Sequence, residues 1–347
     1  MTSGLDPAVA VLARSPLRVS LAGGGTDLPS YADRFGGRVL TLAIDRFVTV
    51  SLSPRSFDGA VDAAFEGSHA HGRAQDLQNL IARAALSGRN LSAGIQLSSF
   101  TDVPSGSGLG SSAAFGVALL GALAVAAGRE VDPARLAEDA AALEQVELRR
   151  PVGKQDHYAA ALGGLHLLEM GRDGRVTPTA VPLVPRTADY LRDRLLVFHL
   201  GGRRDAGAVL AAQSAGATSG DRATLDRLHA IRDLVGPMSD VVARGAVDDI
   251  GPLLDQHWQL KRGLSRGVTT SEVDDLLDRA RAHGADGGRL LGAGGGGCLL
   301  LSVPAGRQDE VRSALTACGA REIPFAPSPD GVVTTMVPHT PRRDARA

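Results

Sequence analysis

Apolar and polar positions along the chain follow two rhythms. Short runs rich in branched aliphatic residues predict strands at Arg18–Leu21, Arg38–Ile44, Phe47–Leu52, Ser92–Ser98, Gly164–Met170, Arg194–Leu200, Gly288–Leu291 and Cys298–Val303. The pair Arg38–Ile44 and Phe47–Leu52 reads as a hairpin. Longer stretches with apolar residues at helical spacing predict helices at Gln75–Ser87, Ser111 to about Ala127, Asp132–Arg149, Asp205–Ala217, Asp221–Val235, Met238–Arg262, Ser271–His283 and Gln308–Cys318. Met1–Ala13 is weakly patterned and is expected as a loose arm, with Thr340–Ala347 as a polar tail. Strands and helices mix without strict alternation, which favours an α+β fold over a doubly wound sheet. The pattern shifts near Pro185, so an N-terminal domain over 1–185 and a C-terminal domain over 186–347 are expected.

The most informative stretch reads Pro104-Ser-Gly-Ser-Gly-Leu-Gly-Ser-Ser-Ala-Ala-Phe115. Gly106, Gly108 and Gly110 leave the backbone free to approach a ligand closely. Ser111 and Ser112 sit where a helix takes an oxygen-bearing cap. The free amides and positive dipole end of that helix make an anion site, and polyphosphate is the anion expected. A flexible linker would not run straight into helix-forming apolar sequence.

Other phosphate loops are excluded. The Walker pattern needs Gly-Lys followed by Ser or Thr. The chain has only two lysines, Lys154 and Lys261, and neither precedes a hydroxyl residue. The protein-kinase strand lysine is missing for the same reason. Gly292-Ala-Gly-Gly-Gly-Gly297 matches a dinucleotide fingerprint literally. That fingerprint must open a helix, whereas Cys298–Val303 reads as a strand.

Composition narrows the class. The 347 residues are 44% hydrophobic, enough for one large or two medium domains. A net charge of −1 argues against nucleic acid or an anionic membrane as partner. The longest apolar run, Ala113–Ala127, is too short to span a bilayer. No basic start precedes a long apolar core, so no signal peptide is read. Two cysteines cannot build a disulfide framework, and a cytoplasmic protein is expected. The 37 basic residues are all arginine apart from those two lysines. A surviving lysine then suggests a site that needs a compact ammonium.

Three stretches together resemble the GHMP kinases, the superfamily of galactokinase, homoserine kinase and mevalonate kinase. Pro104–Ala113 resembles the phosphate loop, Ser15-Pro-Leu-Arg-Val-Ser-Leu-Ala-Gly-Gly-Gly-Thr-Asp27 the first motif, and Gly292–Gly297 the third. They occur in the family's order. Ala-Gly-Gly-Gly-Thr-Asp, Val152-Gly-Lys-Gln-Asp-His-Tyr158 and Trp258-Gln-Leu-Lys-Arg-Gly-Leu-Ser265 are similar to the D-glycero-D-manno-heptose 7-phosphate kinase group and its sugar 1-kinase relatives.

The resemblance implies two α+β lobes with the active site in the cleft between them. It implies ATP and Mg²⁺, a small sugar phosphate as substrate, and an anomeric kinase that makes a 1,7-bisphosphate. The phosphate loop would contribute Pro104, Gly106, Gly108, Leu109, Gly110, Ser111 and Ser112. Ser112, or else Ser111, would hold Mg²⁺ with Glu144 or its neighbour Glu147 one turn on. Asp156 matches the catalytic or orienting carboxylate, Arg18 the basic residue of the first motif, and Lys154 stands close enough in sequence to contact a phosphate. Gly24, Gly25, Thr26 and Asp27 would meet the sugar, and Gly294 and Gly295 would bring backbone to phosphate or substrate. Arg203, Arg204, Lys261 and Arg262 are candidates for a distal phosphate. A kinase for an unphosphorylated sugar such as fucose, or a silent binding regulator of the same fold, are the alternatives. A homodimer is compatible with the sequence.

Overall fold

The computed structural model describes residues 9–55, 58–88, 94–201 and 206–338. The first half of the chain supplies strands β1 (Val9–Ala22), β2 (Gly37–Pro54), β3 (Val61–Phe65), β4 (Ser68–Gly72), β5 (Ile95–Thr101), β6 (Leu165–Met170) and β7 (Val176–Ala180). Helices α1 (Pro29–Phe35), α2 (Leu80–Ser87), α3 (Ser111–Ala126), α4 (Pro133–Ala142) and α5 (Gln155–Leu162) lie between them. The second half supplies α6 (Pro185–Asp193), α7 (Ala206–Ser219), α8 (Arg222–Asp233), α9 (Val235–Arg244), α10 (Ile250–Lys261), α11 (Ser271–Ala282) and α12 (Gln308–Thr316). Its strands are β8 (Leu195–His199), β9 (Gly287–Leu290), β10 (Cys298–Ser302), β11 (Arg321–Glu322) and β12 (Val333–Pro338). The mixed α and β content agrees with the expected class.

The strands form two sheets. One runs β12-β1-β2-β5-β3-β4, with β6 and β7 branching from β2, and the other runs β11-β8-β10-β9. The branch has a local cause. Opposite Pro16 and Leu17 the register jumps from Phe47 to Ile44, which leaves Asp45 and Arg46 as a bulge in β2. Bulges bend a strand. Here Gly37–Leu42 pairs with β6, and Val48–Pro54 pairs with β5. The expected hairpin is therefore one bent strand, and the bulged Asp45 bonds instead to Ala326.

Alternation explains the second sheet. Leu195 and Val197 of β8, with Cys298 and Leu300 of β10, face the main core. Leu196, Phe198, Leu299 and Leu301 face a second core with Trp258, Val273, Leu277, Val311 and Leu315. Both faces are covered, so these strands read as unbroken apolar runs. Helix α3 is buried on nearly every side against β1 and β2, and its alanines and glycines allow that close approach.

Several expectations need correction. Residues 9–13 are strand, with Val11 and Ala13 buried, because β12 returns to cover them. That return also takes part of the second half of the chain, across the division at 185/186, into the first sheet. The helix expected over Met238–Arg262 is broken. Gly245 ends α9 with φ +73°, and Pro252 falls in the first turn of α10, where its missing N–H costs nothing. The helix expected over Asp132–Arg149 ends at Ala142 and widens into one π-type turn over Leu143–Glu147. Thr340–Ala347 lies outside the described residues.

Candidate functional site

A cleft of about 370 Å³ opens between the two halves of the chain. Arg18, Ser20, Gly24, Gly25 and Asp27 line it from the β1 end, and Gly106, Gly108 and Gly110–Ala113 from the glycine loop, whereas Leu109, expected at the phosphates, is buried in the core instead. Glu144, Arg150–Gly153 and Gln155–His157 form another wall, and Gly207, Gln213, Lys261, Arg289, Gly292 and Ala293 close it from the second half.

The glycine loop is held by its neighbours. Gly106, Gly108 and Gly110 have φ of +80°, +83° and +81°, a region that other residues enter at a cost. The Arg18 amide donates to Leu109 O at 3.0 Å, and Arg18 Nη1 donates to Gly108 O at 2.7 Å. Ser105 Oγ donates to Glu66 Oε2 at 2.6 Å and anchors the outer end. Gly292 meets Gly108 so closely that a β-carbon on Gly292 would fall 2.8 Å from the Gly108 Cα. The 16-residue helix α3 starts directly after Gly110. No serine caps it, contrary to expectation, because Gly110 holds the N-cap position and Ser112 Oγ is turned to Glu144. The first amides of α3 point along its axis into the cleft end of the loop. Pro104 lies outside this cleft, on a second cavity of about 470 Å³ with Phe65, Glu66 and Phe100.

Asp156 occupies the first turn of α5. Its Oδ1 accepts from Arg18 Nε at 2.7 Å, and its Oδ2 accepts from Arg18 Nη2 at 2.8 Å. Arg18 is 4% exposed, so this fork is largely shielded from water. Asp27 is also buried. Its Oδ1 accepts from the Gly25 amide at 3.1 Å and from Gln155 Nε2 at 3.2 Å, and its Oδ2 accepts from the Gln155 amide at 3.2 Å. Burial, and then the Asp156 charge, push its carboxyl above the usual carboxylate range.

The π-type turn explains the inward direction of Glu144, and such turns recur at functional sites. Glu144 Oε2 accepts from Ser112 Oγ at 3.2 Å and from Arg150 Nη1 at 2.8 Å, while His157 Nε2 lies 3.1 Å from Oε1. Burial alone would raise its pKa, but His157 and Arg150 hold the carboxyl below its ordinary value. Ser112, Glu144 and Arg150 thus converge on one point, with Arg150 Nη1 also 3.4 Å from Ser112 Oγ. Glu147 is exposed and does not share this position, because the widened turn breaks the helical spacing.

Other expected site residues are placed elsewhere. Lys154 Nζ donates to Glu138 Oε2 and to Gly174 O, each at 2.7 Å, and turns away from the cleft. Arg262 Nη2 donates to Asp274 Oδ2 at 2.8 Å and is also outside. Thr26 Oγ1 donates to Gly23 O and Arg38 O, both at 2.8 Å, so it braces the first turn rather than meeting a ligand. Gly294 and Gly295 pack against Val268, and Gly292 and Ala293 are the third-loop residues that reach the cleft. Lys261 does reach it, with Nζ donating to Gly292 O. Arg203 and Arg204 lie outside the described residues.

Gln155, His157, Arg150 and Arg289 enter the site without having been expected there. Gln155 and His157 flank Asp156 in sequence, and Arg150 stands six positions before it, which was a usable signal. Arg289 had none, since arginine is common in this chain.

A profile for the GHMP kinases N terminal domain matches residues 79–164, and one for the GHMP kinases C terminal matches residues 238–321. The chain is 27% identical over 302 residues to the D-glycero-alpha-D-manno-heptose 7-phosphate kinase of Campylobacter jejuni, spanning 84% of this chain and 88% of that one. It is 32% identical over 251 residues to the galactokinase of Mycobacterium tuberculosis, spanning 62% of this chain and 68% of that one. The crystal structure of a D-glycero-D-manno-heptose 1-phosphate kinase from Bacteriodes thetaiotaomicron has the same fold, with a TM-score of 0.77 over 94% of this chain and 99% of that one at 22% identity. A glycine loop at a helix start, an Arg-paired carboxylate beside it, and matching profiles in both halves lead to one assignment: the chain belongs to the GHMP kinases and is a phosphotransferase with an alcohol group as acceptor.

Proposed function

We propose that this protein is an ATP- and Mg²⁺-dependent sugar 1-kinase. Its substrate is the anomeric hydroxyl of D-glycero-D-manno-heptose 7-phosphate, and its product is the 1,7-bisphosphate used for nucleotide-activated heptose synthesis. One observation carries the reading: the Arg18–Asp156 fork, the buried Asp27 and the glycine loop face a single cleft. The relative in Campylobacter jejuni, similar along most of both chains, supports the choice of sugar. The proposed setting is the cytoplasm, where two free cysteines, one buried and one exposed, stay reduced. The proposed division near 185/186 leaves the cleft between the halves, with β12 returning to the first.

Each group has a task in this reaction. Backbone amides of the glycine loop and of the first turn of α3 hold polyphosphate oxygens. Asp27 accepts hydrogen bonds from sugar hydroxyls and sets the sugar's orientation. Asp156 takes the proton of the reacting hydroxyl as its oxygen bonds to the γ-phosphorus and the bond to the ADP oxygen breaks. Arg18 fixes both oxygens of Asp156 and adds positive charge beside the loop, where charge develops.

Ser112 and Glu144 would hold Mg²⁺. The fit rests on their oxygens converging at 3.2 Å, on Glu144 being kept ionised, and on Arg150 reaching both, which marks the point as favourable to a cation. An ion bound there would neutralise polyphosphate charge.

The test is ADP release with ATP, Mg²⁺ and a sugar panel that includes D-glycero-D-manno-heptose 7-phosphate, sedoheptulose 7-phosphate, fucose and free hexoses. Turnover confined to the aldoheptose phosphate is the expected result. Preference for an unphosphorylated sugar overturns the substrate, and ATP binding without turnover on any sugar overturns the enzyme.

A further inference from the structure

Arg289 is a buried cleft cation with two unpartnered donor nitrogens. It sits on β9, where Gly288 and Leu290 face the second core and Arg289 faces the other way. Its side chain is 1% exposed, yet it lines the cleft. Nε and Nη1 are buried without a hydrogen-bond partner. Among the described residues no carboxylate lies within ion-pair distance of it. The charges that bear on it are alike: burial, and then the Arg18 charge, bring its pKa down to about 9, and burial, followed by Arg289 and Lys261, holds His257 well below its ordinary value.

A buried cation without a counter-ion is costly, and a neutral hydroxyl would not offset it. An anion would. The surroundings locate that anion on the sugar side. A β-carbon on Gly24 would meet Arg289 Nη2 and Ser20 Oγ at 3.4 Å each and Gln155 Nε2 at 3.7 Å. Gln155 Nε2 is the group that holds Asp27. Ser20 Oγ also lacks a partner and also lines the cleft. The loop side, by contrast, already has Arg18.

We propose that Arg289, assisted by Ser20, binds a phosphate carried by the sugar at a position remote from the reacting hydroxyl, and so makes the enzyme specific for a phosphorylated sugar. This rests on the sugar-kinase reading above and deepens it. Arginine suits the task because its planar fork meets two phosphate oxygens at once. Gly24 lets the backbone run beside it without a side chain, since a β-carbon there would already touch Arg289 Nη2.

The test compares wild type, Arg289→Gln, Arg289→Lys and Ser20→Ala on paired sugars with and without the remote phosphate, beginning with D-glycero-D-manno-heptose and its 7-phosphate. The readout is the ratio of kcat/KM for the phosphorylated over the free sugar, with melting temperatures as a folding check. Arg289→Gln should lower that ratio on the order of 100-fold, Arg289→Lys less, and Ser20→Ala by a few fold. Equal losses on both members of the pair, together with slower ATP hydrolysis in the absence of sugar, would assign Arg289 to the transferred phosphoryl group and overturn the proposal. A wild-type preference for an unphosphorylated sugar overturns it too. Preference for a different sugar phosphate discards the heptose reading alone, and the same ratio measured on that pair then decides the role of Arg289. If Arg289→Gln does not fold, the Arg289→Lys and Ser20→Ala ratios decide, and no change in either rejects the site.

Discussion

A β-carbon on Gly153 would fall 1.8 Å from Oδ2 of Asp27 and 2.3 Å from its Cγ. The glycine is therefore packed directly on the carboxylate that the sugar is proposed to meet, across more than a hundred residues of chain. Gly153→Ala must push Asp27 out of its cradle of amides. We expect the sugar KM to rise at least tenfold, ATP affinity to change little, and stability to fall by about 1–3 kcal/mol, as overpacking does. Steady-state kinetics with each substrate varied in turn checks this, and an unchanged sugar KM rules it out.

Asp156→Asn keeps the shape but removes the proposed proton acceptor and one charge of the Arg18 fork. The expected loss in kcat is about 10²–10⁴-fold, with ATP binding nearly intact. Equal losses in kcat and in ATP affinity would make Asp156 a scaffold for the loop instead.

Glu144 should leave a signature in the acid stability. Its native pKa lies below the ordinary value of 4.5, since His157 and Arg150 outweigh burial. Such a group stabilises the fold fully above the unfolded pKa, and that contribution disappears as pH falls through the native value. The gap in melting temperature between wild type and Glu144→Gln should be present at pH 6 and shrink below about pH 4.5. A gap that does not vary with pH contradicts the ion-pair geometry. The same variant should require more Mg²⁺ for half-maximal rate.

Lys154→Met tests the placement of a lysine that stands two residues from Asp156 yet turns outward. It loses a partly exposed pair with Glu138 and a bond to Gly174 O, worth about 1 kcal/mol or less. We expect a small drop in melting temperature and kinetic constants within about twofold of wild type. A loss of kcat beyond tenfold would return Lys154 to the site.

Part of the site was legible because its signals are local. Glycines at alternate positions before a small-residue helix specify a turn that only glycine enters freely and a helix start that follows it, and α3 begins where that pattern places it. Strands β9 and β10 around the third glycine loop were legible for a similar reason. The hairpin at 38–52 was not. Whether two apolar runs make a turn or a bulge depends on what their neighbours pair with, and here β6, β5 and Ala326 decide.

By itself the sequence determined the glycine-rich loop, its helix, the α+β class and the family, since each rests on residue types at short spacing. Only the tertiary structure decided which of the suspected side chains share the cleft. Arg18 and Asp156 meet across 138 positions, whereas Lys154 and Arg262 are drawn to Glu138 and Asp274 outside it. Arg289 carries no local mark among so many arginines. Its distinction is burial without a partner, a property of everything packed around it rather than of the chain on either side.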